Sequence, residues 1–298
     1  MLAVCIPVYN QDVSVLIDAL FKQVQLQEEQ VSIVIIDDAS SEEYMAQYAA
    51  LPETVKVVKL KENIGRSKIR NAFLLHTNEP YLLFLDCDSM LIVDNFISDY
   101  IVNLKVNKPL VLFGASEYQK ETPRIYYHLR WKYGRKIESK NYNERLLHPH
   151  LTFKTNNFLI ERQTFKAHPF NEKISGYGHE DTLFGFELEK NNVFIAHIDN
   201  PVLNAHLDTN TQFLNKTDEA LDNLILIWNL SGQNNELLAR LKLLQVYFKY
   251  RDSKRLQWVL RSLTKPSRFF LEIGFANMTL FSFYKLCYLA SIPAPKTL

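Results

Sequence analysis

The chain has 298 residues, 47% of them hydrophobic, and a formal net charge of +1. That is enough apolar material for one large domain, or a domain with an appendage, and so small a net charge excludes a global field for nucleic acid. Cys5, Cys87 and Cys287 form no CxxC pair and no even framework, which suits a reducing, cytoplasmic compartment. Met1 runs straight into a strand-like segment without a charged leader, so no secretory signal is expected. No run approaches about 18 uncharged apolar residues, so no spanning helix is predicted.

In chain order, apolar runs at 2–8, 32–36, 55–59, 81–85 and 110–113 predict strands. Between them, 13–24, 42–51, 65–76 and 95–106 space their apolar residues as helices do. That alternation predicts an α/β fold, a mostly parallel sheet flanked by helices. Eight glycines occur and none form GxGxxG, so a bound nucleotide is expected to be gripped by side chains, carbonyls and metal. From 117 to 149 the pattern loosens into a polar, aromatic and basic segment without a clear period. Strand signals return at 158–160 and 193–197, around a helical stretch at 181–190. Beyond 215, Leu221, Leu224, Ile225 and Trp228, then Leu237, Leu238, Leu241, Leu244 and Phe248, lie at helical spacing. The expected organisation is a catalytic domain over 1–215 and a helical C-terminal region over 216–298.

The apolar run at 81–85 ends in Asp86-Cys87-Asp88. Two carboxylates one residue apart, just past a buried strand, can hold a divalent metal against a diphosphate, and open α/β sheets place their crevice at such strand ends. Asp-x-Asp also serves plain turns and helix caps. The first strand ends Ile6-Pro7-Val8-Tyr9-Asn10 and the second Ile35-Ile36-Asp37-Asp38-Ala39-Ser40. A carboxylate there can accept from a uracil N–H or a ribose hydroxyl, or cap the following helix. In Glu62-Asn63-Ile64-Gly65-Arg66-Ser67-Lys68-Ile69-Arg70-Asn71-Ala72, Gly65 opens a helix that presents Arg66 and Arg70 at i, i+4. Helix N-terminal amides and guanidinium groups suit diphosphate oxygens, whereas a basic helix face can also be merely solvated.

Taken in order, Pro-x-Tyr-Asn, Asp-Asp-x-Ser, Asn-x-Gly-x-x-x-x-Arg-Asn and Phe-Leu-Asp-x-Asp resemble a family 2 glycosyltransferase of the GT-A fold. The resemblance implies that Pro7, Tyr9, Asn10, Asp37 and Asp38 bracket the nucleoside. It implies that Asp86 and Asp88 bind the nucleotide-sugar and a metal ion. Further on, Ser175-Gly176-Tyr177-Gly178-His179-Glu180-Asp181 resembles the Gly-Trp-Gly-x-Glu-Asp segment of β-1,4-galactosyltransferase-like enzymes, with Tyr177 for Trp and His179 for Gly. Glycines there allow close backbone approach to a sugar, and the aromatic offers a stacking face. That likeness implies Asp181 as the base that deprotonates the acceptor and Glu180 as a sugar contact; both acids could also simply open a helix. It also implies His206 as a metal ligand with Asp88, and an imidazole favours Mn²⁺ over Mg²⁺, which an all-oxygen site would take. Asn156 and Asn157 fall where related chains place a polar residue at the sugar site, or in a turn before a strand.

The expected function is an inverting glycosyltransferase that moves a sugar from a nucleoside diphosphate donor, UDP-linked, to a hydroxyl of a glycan or lipid-linked acceptor, in bacterial-type polysaccharide or glycoconjugate synthesis. A sugar-phosphate nucleotidyltransferase is the first alternative, but would carry a glycine-rich basic loop at its first strand. A non-catalytic sugar-binding or assembly subunit is the second. From Arg251 onward eight Lys/Arg stand against two acids, ahead of and within an aromatic, apolar run. Such helices are expected either to lie peripherally on an anionic inner membrane face, or to pack on the catalytic domain or in a homodimer.

Overall fold

The computed structural model describes residues 1–292. In chain order these form β1 (Leu2–Val8), α1 (Ser14–Val24), β2 (Val31–Asp37), α2 (Glu42–Met45), β3 (Val55–Lys59), α3 (Arg66–His76), β4 (Tyr81–Leu85), β5 (Ser89–Leu91), α4 (Phe96–Asn107), β6 (Val111–Phe113) and β7 (Ser116–Glu117). The chain continues through α5 (His128–Tyr133), α6 (Tyr142–Leu147), α7 (Pro149–Thr152), β8 (Asn157–Glu161), α8 (Arg162–Ala167), α9 (Glu180–Lys190), β9 (Ile195–His197) and β10 (Val202–Asn204). It ends in α10 (Asn210–Leu230), α11 (Asn235–Arg240), α12 (Lys242–Tyr250), α13 (Lys254–Glu272) and α14 (Met278–Ser291).

The main sheet has seven strands in the order β3-β2-β1-β4-β8-β6-β9. β3, β2, β1 and β4 are mutually parallel, β8 runs antiparallel between β4 and β6, and β9 is parallel to β6. β1 is buried on both faces, as its unbroken apolar run requires. Leu2, Val4, Ile6 and Val8 pack with Leu16, Ile17 and Leu20 of α1 and with Phe96 and Tyr100 of α4. The alternate residues Ala3 and Cys5 pack with Ile69 and Phe73 of α3 and with Phe158, Phe165, Phe170 and Phe184. Strand order reverses at β1, with β2 and β3 on one side and β4 on the other, so the crevice of the fold opens at the C-terminal ends of β1 and β4. The β1–β2 ladder runs to Val8 and Asp37, but the β1–β4 ladder stops at Cys5 and Phe84. Pro7, which has no amide to donate, lies past that stop.

A small second sheet, β5-β10-β7, pairs β10 antiparallel to β5 and sets Asn204 opposite Ser89. It joins the segment after Asp88 to the segment before His206.

The chain divides into two compact units. One comprises residues 1–119, 137–173 and 180–206, and carries both sheets. The other comprises 120–136, 174–179 and 207–298, with α5 and α10–α14, and its apolar centre includes Leu129, Phe213, Leu214, Leu271, Phe281 and Tyr284. The expected boundary after residue 215 is corrected: it falls inside α10, whose start is set by a capping box of Thr209 and Gln212. Residues 293–298 of the expected C-terminal region lie outside the described residues.

The segment 117–149, expected to be irregular, instead holds α5, α6, the start of α7 and short 3-10 and π turns. α6 opens on a capping box of Asn141 and Glu144, but six residues are too few to display a helical period. Among the described residues, no helix is long and apolar enough to cross a membrane.

Candidate active site

Past Val8, β1 turns outward: Tyr9 is exposed, and Asn10 takes a left-handed conformation at φ 48°. The Asn10 N–H donates to Ser40 Oγ (2.8 Å), and its Oδ1 accepts from the Ser41 N–H (2.8 Å), locking the ends of β1 and β2 together. Asp37 is wholly buried; its oxygens accept from the Ser40 N–H (2.8 Å) and the Tyr48 hydroxyl (2.5 Å). Asp38 accepts from the Ile64 N–H (2.7 Å) and the Gly65 N–H (3.1 Å), tying β2 to the start of α3. Burial raises the Asp38 carboxyl above its ordinary range, with the two amides opposing. Asp37 has no surface to offer, whereas each Asp38 oxygen takes one backbone amide and keeps a further lone pair. Pro7, Tyr9 and Asn10 stay at the rim of the crevice.

At the end of β4 the side chains alternate. Cys87 packs inward against the α1-side core, and burial, followed by the charges of Asp88 and Asp86, pushes its thiol up to about 12. Asp86 is gripped. Arg70 Nη2 donates to Asp86 Oδ1 (2.8 Å), and its Nη1 donates to the Arg66 carbonyl (3.1 Å) and lies 3.9 Å from Glu180 Oε1. Arg66 places Nε 3.4 Å from Glu180 and Nη2 3.9 Å from Asp86. Two arginines and two acids thus form one array. The Arg70 and Glu180 side chains are 2% and 7% exposed, while Arg66 is 37% exposed. Arg70 is corrected from a diphosphate ligand to a brace for Asp86, and Glu180 from a sugar contact to a partner of the arginines.

This array makes a stability prediction. Arg70→Met takes the buried guanidinium away from two carboxylates, one of them buried, and is expected to cost about 3 kcal/mol or more. Arg66→Met, at the solvent edge, should cost under about 1 kcal/mol. Urea unfolding of both variants checks this, and equal losses would contradict the assignment of Arg70 as the buried brace.

Asp88 is half-buried. Its carbonyl accepts from the Ala205 N–H (3.3 Å), so the exposed His206 follows directly from the rung beside it. Among the described residues no three His, Cys, Asp or Glu side chains are grouped to hold a metal. One carboxylate and one imidazole on neighbouring chain segments fit an ion that takes its other ligands from a bound diphosphate and water.

Asn156 and Asn157 part company. The Asn156 carbonyl accepts from the Asp86 N–H (3.1 Å), and its Oδ1 is buried without a hydrogen-bond partner among the described residues. An orphaned acceptor beside Asp86 fits a hydroxyl donor. Asn157 is corrected to a core residue: its amide accepts from the Tyr100 hydroxyl (2.7 Å) and donates to the carbonyls of Ala115 (2.8 Å) and Asn200 (2.9 Å). No polar atom is left for a sugar.

Asp181 lies in the first turn of α9. Its Oδ1 accepts from the Thr182 N–H (2.6 Å) and hydroxyl (3.1 Å), and its Oδ2 from Lys154 Nζ (2.6 Å). Lys154 escaped the sequence reading because a single lysine ahead of a strand belongs to no motif. Gly176 and Gly178, in the helical unit, take φ of 73° and 92°, and a Cβ at Gly178 would meet Ala220 Cβ at 2.6 Å. Glu219 Oε2 accepts from the Tyr177 N–H (3.1 Å). Asn223 Nδ2 donates to the carbonyls of Ser175 (2.8 Å), Tyr177 (3.1 Å) and Gly178 (3.2 Å). Glu219 and Asn223 thus shape the glycine turn from α10, and no local pattern announces them.

The model of glycosyl transferase family 2 matches residues 3–166, which span the ends of β1, β2 and β4 and the Asp86–Arg70 pair. The chain belongs to glycosyl transferase family 2. It is a glycosyltransferase with a GT-A type α/β fold. Among solved structures it resembles the mannosyltransferase PcManGT from Pyrobaculum calidifontis, in complex with GDP-Man and Mn²⁺, at 12% identity and TM-score 0.59, covering 97% of this chain and 85% of that one. It also resembles residues 1–349 of TarS from S. aureus at 17% identity and TM-score 0.50, covering 95% and 89%. Against the longer TarS structure the identity is 18% and the TM-score 0.50, covering 73% of this chain and 38% of that one. At such identities the likeness is one of fold. No curated protein matches the sequence. The family match ends at residue 166, so Ser175 to Asp181 and His206 lie beyond it.

Proposed function

We propose that this glycosyltransferase moves a sugar from a UDP-linked donor to a hydroxyl of a glycan or lipid-linked acceptor, in bacterial-type polysaccharide or glycoconjugate synthesis, by a single displacement that inverts the anomeric centre. The observation that carries this reading is the end of β4, where Arg70 fixes Asp86 and the rung beside Asp88 leads to His206. Pro7, Tyr9 and Asn10 bound the nucleoside side of the crevice, with the exposed Tyr9 ring available for stacking. Asp86 and the solvent-facing part of Arg66 orient the donor. Asn156 accepts from a sugar hydroxyl. Asp88 and His206 would hold a divalent ion, Mn²⁺ in preference to Mg²⁺, on the diphosphate, and that ion would stabilise negative charge on the departing nucleotide. Asp181 takes the acceptor proton, with Lys154 holding its carboxylate in place. Gly176, Tyr177 and Gly178 are proposed as sugar-contacting residues on their sequence likeness.

The bound Mn²⁺ and GDP-Man of the Pyrobaculum mannosyltransferase support a metal-assisted nucleotide-sugar reaction. The family match speaks against both the nucleotidyltransferase and the non-catalytic alternatives. Cys5, Cys87 and Cys287 are free thiols, and a cytoplasmic location suits them.

The test is a donor screen. UDP- and GDP-linked hexoses and N-acetylhexosamines are incubated with Mn²⁺, nucleoside diphosphate release is measured, and an acceptor panel follows with the best donor. Release is expected from a UDP-sugar, lost with chelator and restored by Mn²⁺, and an α-linked donor should give a β-linked product by proton NMR. Release indifferent to metal, or a product that keeps the donor's configuration, would contradict the corresponding part of the proposal.

A further inference from the structure

The outer face of α13 carries a row of large apolar side chains that stay exposed among the described residues. Trp258, Val259, Leu263, Phe269, Phe270 and Ile273 are all exposed, at spacings that place them along one side of the helix. The row continues into exposed Phe275 in the turn that follows. It also extends to Ile125 and Tyr126, since Ile125 sits so close to Gly274 that a Cβ there would meet its Cγ1 at 2.3 Å. The other side of α13 is already satisfied: Leu260 packs with Cys287 and Ala290, and Leu271 with Phe281 and Tyr284 of α14. The helix is therefore apolar on two sides, and only one has a partner among the described residues.

Lys254, Arg255, Arg261 and Lys265 are exposed around the row. The acid nearest its far end, Glu272, accepts from Arg268 Nε (2.8 Å), whose Nη1 also reaches Asp218 (2.6 Å). The face is thus aromatic with a cationic border. A second copy of this chain docked face to face would bring like charges together, which disfavours self-association. An anionic bilayer offers the complement: aromatic rings settle at the boundary of headgroups and acyl chains, and ammonium and guanidinium groups meet lipid phosphates.

We infer that α13 and the turn after it dock this chain on an anionic membrane surface, lying in the headgroup layer. The inference stands apart from the transfer reaction and does not depend on it.

The test uses the full chain with vesicles of phosphatidylcholine alone or with about a third phosphatidylglycerol, an anionic lipid of the kind basic segments recognise. The protein is expected to sediment with the anionic vesicles, to release at high salt, and to show a blue-shifted tryptophan emission that Trp258→Phe removes. Replacing Lys254, Arg255 and Lys265 together by Gln should weaken binding about 100-fold, from about 1 kcal/mol per basic residue. Phe269→Ser with Phe270→Ser should abolish binding without lowering the melting temperature, because both rings are exposed. No binding at low salt, equal binding to neutral vesicles, or a solution dimer that the Phe269→Ser/Phe270→Ser variant dissociates would overturn the inference.

Discussion

Asp88→Ala is expected to abolish metal-dependent nucleotide binding and to lower sugar transfer by about a thousandfold or more, since a Lewis-acid ion on the leaving diphosphate contributes several kcal/mol. The ion pairs of Arg66 and Arg70 with Asp86 and Glu180 do not involve the Asp88 side chain and remain when it is removed. The variant should melt with the wild type. Asp86→Ala should differ, because it takes away the partner to which buried Arg70 donates at 2.8 Å, and its lost activity would mix with lost stability. Titration of UDP by calorimetry, with and without Mn²⁺, reads the effect directly. His206→Ala should weaken the metal-dependent part of binding in the same direction but less, an exposed neutral ligand being easier for water to replace. Unchanged Mn²⁺-dependent binding in Asp88→Ala would remove the metal from this carboxylate.

The sheet was legible because buried parallel strands must be continuous apolar runs. Residues 2–8, 55–59 and 81–85 could be bounded on that ground alone, and the structure has strands at those residues. The order of motifs also located the crevice, since strand ends and helix starts are marked by residues with special caps and turns. What spacing could not show is which partners two adjacent polar residues take. Asp37 is turned inward by a hydrogen bond from Tyr48 and Asn157 by one from Tyr100, partners 11 and 57 positions away. Their neighbours Asp38 and Asn156 bond quite differently. Arg70 misled for the same reason. On an isolated helix it shares a face with Arg66, yet in the fold it is enclosed beneath Phe170 and Glu180. The pairing of Asp88 with the segment before His206 depends on β10 lying antiparallel to β5, a register between two three-residue strands too short for any pattern to reveal.

The second large effect is expected at Asp181. If its carboxylate takes the proton of the incoming hydroxyl, Asp181→Asn should lower turnover by roughly 10² to 10⁴-fold, the range general base catalysis supplies. The substitution suits the site because asparagine keeps what a merely structural role would need. Its side-chain oxygen can still accept from the Thr182 N–H, at 2.6 Å in the wild type. It loses the proton-accepting charge and the attraction to Lys154 Nζ at 2.6 Å. Two measurements separate these losses. The pH profile of kcat/KM should lose its acidic limb in Asp181→Asn, whereas Lys154→Gln should keep that limb with its midpoint displaced, because the base remains and only its neighbour has changed. Binding of UDP with Mn²⁺ should stay at the wild-type value in both, since neither residue is assigned to the diphosphate. Transfer by Asp181→Asn near the wild-type rate, with nucleotide binding intact, would reduce Asp181 to the opening residue of a helix and send the search for the base elsewhere along the crevice.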